Sequence, residues 1–471
     1  MLRINRPISF RFLRKPVRLS ILCFCLTALT GCAVGPNYKP SQTDVSGKWV
    51  GSAGQAQAQN IAEWWTTFGD PNLTSLIERA VKSNLDLKQA QLRIRQARAA
   101  RGGVASGFWP AADLTGSLTR SRSGAASASN FYQAGLDAIW ELDIFGGVRR
   151  NIEAAEADVQ VALEYRRDVL VTLTAEVALY YIDLRGYQQQ IIIAQNNLNA
   201  QRHSAELTRQ RFEGGFVGAL DVANANAQVA TTASQIPLLE AFVQQTIYSL
   251  SVLLGQEPAA LLDELMPTST IPAAPPSVPA GVPSDLLRRR PDIRRAEAQI
   301  HAETARIGVA VADLFPKVSL SGSVSFRDSK FSSLTDGKNR FWSFGPSIAL
   351  PIFSAGRIQS NIELQKAVQE QSFITYKQTV LTALLEVENA LVASIKEQEH
   401  RNALIEAVAN NRKAMELATK LYTEGQTDFL NVLTAQGALY SSEDALVRSN
   451  RTVSTNLVVL YKALGGGWDN K

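Results

Sequence analysis

In Tyr132-Gln133-Ala134-Gly135-Leu136-Asp137-Ala138-Ile139-Trp140-Glu141-Leu142-Asp143-Ile144, the residues Tyr132, Ala134, Leu136, Ala138, Trp140, Leu142 and Ile144 fall on one face of an extended strand. Gln133, Asp137, Glu141 and Asp143 fall on the other, because successive side chains of a strand point to opposite faces. Val318-Ser319-Leu320-Ser321-Gly322-Ser323-Val324-Ser325-Phe326 alternates completely, with serines on the second face. Leu114 to Thr119 and Trp342 to Leu350 complete a set of four. Taken singly, each strand reads better as part of a half-buried soluble sheet. Two features favour lipid as the solvent on one side. The strands have about the nine to eleven residues that cross a bilayer at a tilt, and aromatic residues gather at their ends: Phe108-Trp109, Trp140, Phe145, Phe315, Phe341-Trp342 and Phe353. Four strands cannot close a barrel, and an open edge in lipid leaves backbone groups unpaired at several kcal/mol each. Further copies of the chain must supply the rest, and a threefold ring would hold twelve strands. Pro346, which has no amide donor, predicts a bulge or bend in the fourth strand. Ser121 to Asn130 and Arg327 to Arg340 are polar, turn-rich connections between the strands of each pair.

The strand pairs belong to a repeat. Pro110, Leu114, Gly116 and Ile144-Phe145 match Pro316, Leu320, Gly322 and Ile352-Phe353. Asn151-Ile152-Glu153 matches Asn361-Ile362-Glu363, Phe212 matches Tyr422, Gly215 matches Gly425, and Leu254-Gly255 matches Leu464-Gly465. The offset is roughly two hundred residues, so the chain reads as two copies of one helix-strand-strand-helix-helix unit.

After each strand pair runs a stretch without proline, about Asn151 to Phe212 and about Gln359 to Glu424, long enough for a helix of about 90 to 100 Å. Leu170, Leu173, Val177, Tyr180, Leu184, Tyr187, Ile191, Ala194 and Leu198 step by three and four, the spacing of left-handed coiled-coil packing. Shorter return helices are expected at about Leu220 to Leu254 and Phe429 to Leu464. Helices at about Leu73 to Val104 and Pro291 to Ala312 precede the strands. Between the copies, Pro258, Pro267, Pro272, Pro275, Pro276, Pro279 and Pro283 forbid regular helix. That stretch reads either as a linker crossing at mid-height or as a disordered spacer.

Upstream, Arg3, Arg6, Arg11, Arg14, Lys15 and Arg18 precede the apolar run Leu19 to Thr30, the charge and length of a secretory signal. The run ends in Leu29-Thr30-Gly31-Cys32, which resembles a bacterial lipobox. On that reading Cys32 carries the lipid; the other reading is an incidental cysteine after an ordinary cleavage site. Cys23 and Cys25 lie within the signal, so the mature chain can form no internal disulfide. The whole chain has 48 basic and 43 acidic residues, net +5. Six of those bases and none of the acids lie in residues 1–31, so the mature protein is about neutral and the apparent basicity is no argument for nucleic acid. Residues 33–60, rich in Gly, Ser, Gln and Ala, read as a tether. The three histidines, His203, His301 and His400, are far apart. No phosphate loop, zinc-binding HExxH pattern or nucleophile elbow is present, so neither catalysis, a metal nor a cofactor other than the lipid is expected.

Cys32-Ala33-Val34-Gly35-Pro36-Asn37-Tyr38, Trp64-Trp65, Asp70-Pro71, Pro283-Ser284-Asp285-Leu286-Leu287-Arg288-Arg289-Arg290-Pro291-Asp292-Ile293, Leu350-Pro351-Ile352-Phe353 and Tyr461-Lys462-Ala463-Leu464-Gly465-Gly466-Gly467-Trp468 resemble the TolC-like outer-membrane factor family in its lipoprotein branch. That resemblance implies an α+β membrane protein. It would be a homotrimer with a twelve-stranded transmembrane β-barrel, four strands per protomer, continued by a long periplasmic α-helical barrel. The duct would serve a periplasmic adaptor and an inner-membrane efflux transporter, in the outer membrane of a Gram-negative bacterium, anchored by lipid. A type I protein secretion duct is the alternative, with a passive porin or a structural lipoprotein behind it. The cargo is not written in a shared exit duct.

The division is then a signal peptide at 1–31, a lipid-anchored tether at 32–62, a first copy at 63–256, a proline-rich linker at 257–283 and a second copy at 284–471. Strands are expected at about 112–120, 131–145, 317–327 and 341–353, and helical tips at about 212–219 and 422–428. Gly214, Gly215 and Gly425 end the long helices in left-handed turns and stand where the family meets its adaptor. The resemblance places gate residues at Asp221, Tyr422 and Asp428, although Asp428 equally suits a helix N-cap. Thr427, Asn431 and Thr434 depart from the family's arginine and acids, which would weaken a polar latch.

Overall fold

The computed structural model describes residues 33–40, 49–50, 61–125, 127–273 and 283–468. The expected signal peptide, Cys32, most of the tether and the end of the linker lie outside them. The helices are α1 (Pro71–Ser83), α2 (Leu85–Ser106), α3 (Gly147–Glu213), α4 (Ala219–Leu253), α5 (Leu262–Leu265), α6 (Pro283–Arg289), α7 (Pro291–Ala312), α8 (Arg357–Thr423) and α9 (Phe429–Ala463). The strands are β1 (Ala111–Ser121), β2 (Ser129–Leu142), β3 (Lys317–Asp328) and β4 (Arg340–Ala349). Two compact units divide the chain. The helices α2, α3, α7 and α8 each contribute residues to both.

The first unit holds residues 33–40, Arg93–Ala162 and Arg295–Tyr376. Its strands form one antiparallel sheet in the order β1-β2-β3-β4. Cross-strand partners share a face, and the register sorts the side chains by polarity. Leu114 pairs with Leu136, which pairs with Val324, which pairs with Trp342. Trp140, Leu320 and Pro346 form another apolar row on that face. Opposite, Asp113, Asp137, Ser323 and Ser343 form a polar row. Two hydrogen bonds relieve it, with Thr115 Oγ1 donating to Asp137 at 3.0 Å and Ser323 bonded to Ser343 at 2.9 Å. Ile139 and Phe341 interrupt this polar face.

The sheet departs from expectation in three places. β2 stops at Leu142 rather than about 145, because Asp143 turns to accept from the backbone amides of Val148 (3.0 Å) and Arg149 (2.9 Å) at the start of α3. β4 stops at Ala349, so Ile352 and Phe353 lie beyond the strand. No bulge forms at Pro346: β3 and β4 pair without a slip, and Pro346 sits on an edge strand, where a missing donor is tolerated.

Residues 33–40, read from sequence as loose tether, are docked. Val34 donates its amide to Phe145, and Arg150 donates to Val34 O (3.2 Å) and Asn37 Oδ1 (2.5 Å). The Tyr38 ring stacks on His301 at 4.4 Å, and its hydroxyl donates to Glu297 at 3.1 Å. Burial, then Glu297, pushes the Tyr38 phenol up from its ordinary value. Glu153 joins Arg150 (2.7 Å) and His301 (3.1 Å). Burial is the largest influence on Glu153 and raises its carboxyl, but Arg150 and His301 together outweigh it and hold the group below its usual value.

The second unit holds residues through Leu92, Leu163–Arg294 and Lys377 onward. Asp70 caps α1 by accepting from the Asn72 (2.8 Å) and Leu73 (3.1 Å) amides, with Pro71 at the first helical position. The single helix expected over Leu73 to Val104 is broken at Asn84. Its side chain accepts from the Leu87 amide at 2.9 Å to cap α2 and donates to Leu253 O at 2.9 Å. Leu173, Val177, Leu184, Ala194 and Leu198 of the heptad stripe are buried, whereas Tyr180 is 39% exposed. α4 continues through Pro237. The long helices α3 and α8 both have 67 residues, and the return helices α4 and α9 both have 35.

The described part of the linker is ordered. Buried Arg185 donates to Pro267 O at 2.8 Å and to Gln188 Oε1 at 2.7 Å, while Gln188 donates to Leu265 O at 2.8 Å. Gln189 holds Ser269 O at 3.0 Å, and Ser454 holds Pro272 O at 2.8 Å. Nearby in sequence terms, buried Glu164 bridges Arg167 and Arg294 (2.9 Å), and both guanidiniums lie over the Trp468 ring, at 4.6 and 5.2 Å. Burial pushes the Glu164 carboxyl up despite the two arginines.

Candidate functional site

The turns that join α3 to α4 and α8 to α9 both lie in the second unit. Gly215 and Gly425 have φ of 76° and 75°, a conformation in which a β-carbon crowds the following carbonyl. In each turn two backbone bonds close the helix end. Gly215 N donates to Phe212 O and Phe216 N to Arg211 O, as Gly425 N does to Tyr422 O and Gln426 N to Leu421 O. This paired geometry satisfies the last carbonyls of a helix. Gly214 serves differently, since a β-carbon there would meet the Phe216 ring at 2.9 Å. Phe212, Phe216 and Leu220 are exposed around the first turn.

Tyr422 is 3% exposed and packs with Ala225, Phe429 and Val432. Its hydroxyl donates to Thr208 Oγ1 at 3.3 Å and its ring lies 5.5 Å from Phe429. Within one chain, then, Tyr422 is bonded to Thr208 and not to Asp221. Asp221 stands in the first turn of α4 with its amide on Gly218 O at 3.1 Å, where a negative charge favours the helix dipole. Asp428 occupies the N-cap position of α9, but its side chain makes no cap hydrogen bond. Asn431 donates to Thr427 Oγ1 at 2.6 Å, and Thr434 donates to Leu430 O at 2.8 Å. The residues that depart from the family pattern are thus satisfied locally. Cys32 lies outside the described residues.

Arg211 is the residue that the sequence reading does not single out. From the last turn of α3 its guanidinium donates to the carbonyl of Tyr422 and lies 4.6 Å over the Tyr422 ring. One cation therefore spans both turns. The asymmetry of the repeat is the available signal, because Leu421 stands at the matching place in the second copy. On the adjoining exposed face, the Arg209 side chain holds the Glu206 carboxyl below its ordinary value. Among the described residues no group of three His, Cys, Asp or Glu side chains could hold a metal ion, and no helix is long and apolar enough to cross a membrane.

Comparison with known proteins places this geometry. The family described as outer membrane efflux protein matches residues 76–256 and 282–466. Nodulation protein T of Rhizobium leguminosarum bv. trifolii is 34% identical over 447 residues, covering 94% of this chain and 96% of that one. The pyoverdine export outer membrane protein OpmQ of Pseudomonas aeruginosa is 32% identical over 467 residues, covering 96% and 97%. Among solved structures, the outer-membrane channel OprN superposes with a TM-score of 0.87 at 37% identity, covering 93% of this chain and all of that one. The open state of the MtrE outer membrane channel of Neisseria gonorrhoeae gives 0.82 at 27% identity, covering 93% and 99%.

Proposed function

The chain belongs to the outer membrane efflux protein family, and on that premise we propose that it is the outer-membrane duct of a tripartite efflux system. Three copies close their four-stranded sheets into a twelve-stranded barrel, and the long helical hairpins continue the passage into the periplasm. The observation that carries this reading is the sheet of the first unit. It is sorted into an apolar and a polar face, Leu114 is 84% exposed on the apolar one, and β1 and β4 are free edges among the described residues. Free edges in lipid demand partners, and a closed ring provides them.

The matched lengths of the two hairpins support an internal duplication. The turns at Gly214-Gly215 and Gly425 form the periplasmic end, where Asp221 and Asp428 line the gate, buried Tyr422 packs the turn behind them, and a periplasmic adaptor docks, handing over cargo from an inner-membrane transporter. Lipid on Cys32 anchors each copy. The relatives named for nodulation and pyoverdine export fit one exit duct serving many transporters, with no catalysis of its own. The full mature chain, purified in detergent, should have the native mass of three copies and conduct poorly at rest in a planar bilayer. A monomer that forms no conducting unit would overturn the duct.

A further inference from the structure

The sheet is unevenly charged from end to end. Where it joins the helices it carries Asp113, Asp137 and Glu141, with Lys317 bonded to Asp313 at 3.0 Å and, just beyond β2, Asp143 bonded to Arg149 at 3.0 Å. Where its strands are joined by loops it carries Arg120, Arg122, Arg327, Lys330, Lys338 and Arg340. Two acids lie among these bases. Asp328 is held by Asn339 (2.5 Å) and the Lys330 amide (3.2 Å), and Asp336 sits 3.7 Å from Lys338.

The register shows which face the arginines share. Arg120 is opposite Asn130, one step along the row of Leu114 and Leu118; Arg340 is opposite Phe326, in the row that continues to Trp342. Arg120 and Arg340 therefore stand on the apolar face, at its loop end, beside Tyr132, Phe331 and Trp342. Tyr132 and Phe331 touch at 5.6 Å, and Trp342 is 73% exposed. Among the described residues, Arg120, Arg122 and Arg340 are exposed and make no ion pair or side-chain hydrogen bond. Aromatic rings gather where hydrocarbon gives way to headgroups, and an arginine at that depth turns its head toward the interface. Its planar fork matches phosphate oxygens two at a time.

We propose that the loop end of this sheet binds phosphate groups of lipid headgroups in the outer leaflet. The inference rests on the barrel reading above, which orients the helix end inward and the loop end outward. In the ring, the edges that meet are β1, ending in Arg120-Ser121-Arg122, and β4, beginning at Arg340. Each seam thus gathers guanidiniums from two copies around one headgroup.

The full mature chain is reconstituted in nanodiscs of phosphatidylcholine doped with bis-phosphorylated lipid A, or with the same lipid lacking its phosphates, and the lipid kept by the released protein is counted by native mass spectrometry. The bis-phosphorylated lipid should be retained about tenfold more than the phosphate-free one, and Arg120→Gln with Arg340→Gln should abolish that preference. Equal retention of the two lipids by the unaltered protein overturns the proposal without recourse to a variant. A preference that survives in a trimeric double variant overturns it as well; if that variant does not assemble, Arg120→Lys with Arg340→Lys, which keeps the charge but loses the fork, must lower retention. A trimer without lipid preference leaves the duct standing, whereas a monomer in the same spectra removes the barrel reading itself.

Discussion

Replacing Arg211 by Ala tests whether one cation holds the proposed periplasmic gate closed. In the structure its guanidinium donates to the Tyr422 carbonyl and covers the ring at 4.6 Å. A hydrogen bond from a charged group contributes about 1.5–3 kcal/mol, and a cation over an exposed ring about 0.5–1 kcal/mol. Arg211 is half-buried, so water replaces part of both, and the two contacts share one group and do not add fully. A loss of about 2 kcal/mol per chain is the reasonable figure, close to thirtyfold in a closing equilibrium at each copy. Planar-bilayer conductance of the reconstituted protein reads it: Arg211→Ala should conduct well above wild type, and Arg211→Lys should fall between. Tyr422→Ala, which empties a buried aromatic site, should open the passage further, by a packing loss of about 3–5 kcal/mol. Tyr422→Phe removes only the bond to Thr208, about 1 kcal/mol, and should change little. If Tyr422→Ala opens the duct while Arg211→Ala conducts like wild type, the arginine is not a latch and the reasoning fails.

The remaining predictions concern the N-terminal end. Cys32→Ser should abolish incorporation of labelled palmitate; continued labelling would remove the lipid assignment, which is expected to add stable anchorage only with two or more acyl chains. Glu153 has a carboxyl held below its ordinary value of 4.5, so its contribution is present above that pH and is lost as pH falls through the lowered value. Glu153→Gln should therefore cost up to about 1 kcal/mol at neutral pH, seen as a lower melting temperature. The gap to wild type should close in acid, and a gap that stays constant down to pH 3 would rule the linkage out.

The architecture was legible where a pattern repeats over many residues, and illegible where a single side chain decides. Period-two alternation located the four strands because both faces of a sheet must match their solvents. Their ends were missed because Asp143 serves a helix rather than the strand it adjoins. Around Asn84 no glycine or proline marks a break; the available sign is a Ser83-Asn84 pair of the kind that caps helices, and the Asn84 side-chain oxygen makes that cap. Nothing in the sequence singles out Arg185, yet it is buried and donates to carbonyls of the linker, which have no residue identity to read. The tip divides the same way. Tyr422 stood out through the repeat and the family resemblance, whereas Arg211 acts on a backbone carbonyl of the opposite turn and only its absence from the second copy marks it.

The edges β1 and β4, unpaired among the described residues, have a bearing on the chain before it assembles. A newly delivered copy in water carries an apolar face and two open templates for strand pairing, the combination that seeds edge-to-edge aggregation. In the proposed ring, closure would consume both templates of every copy, whereas a stack that missed closure would always keep two. Encounter among copies rises faster than their number. On that reading, copies that outrun ring closure would feed open stacks instead.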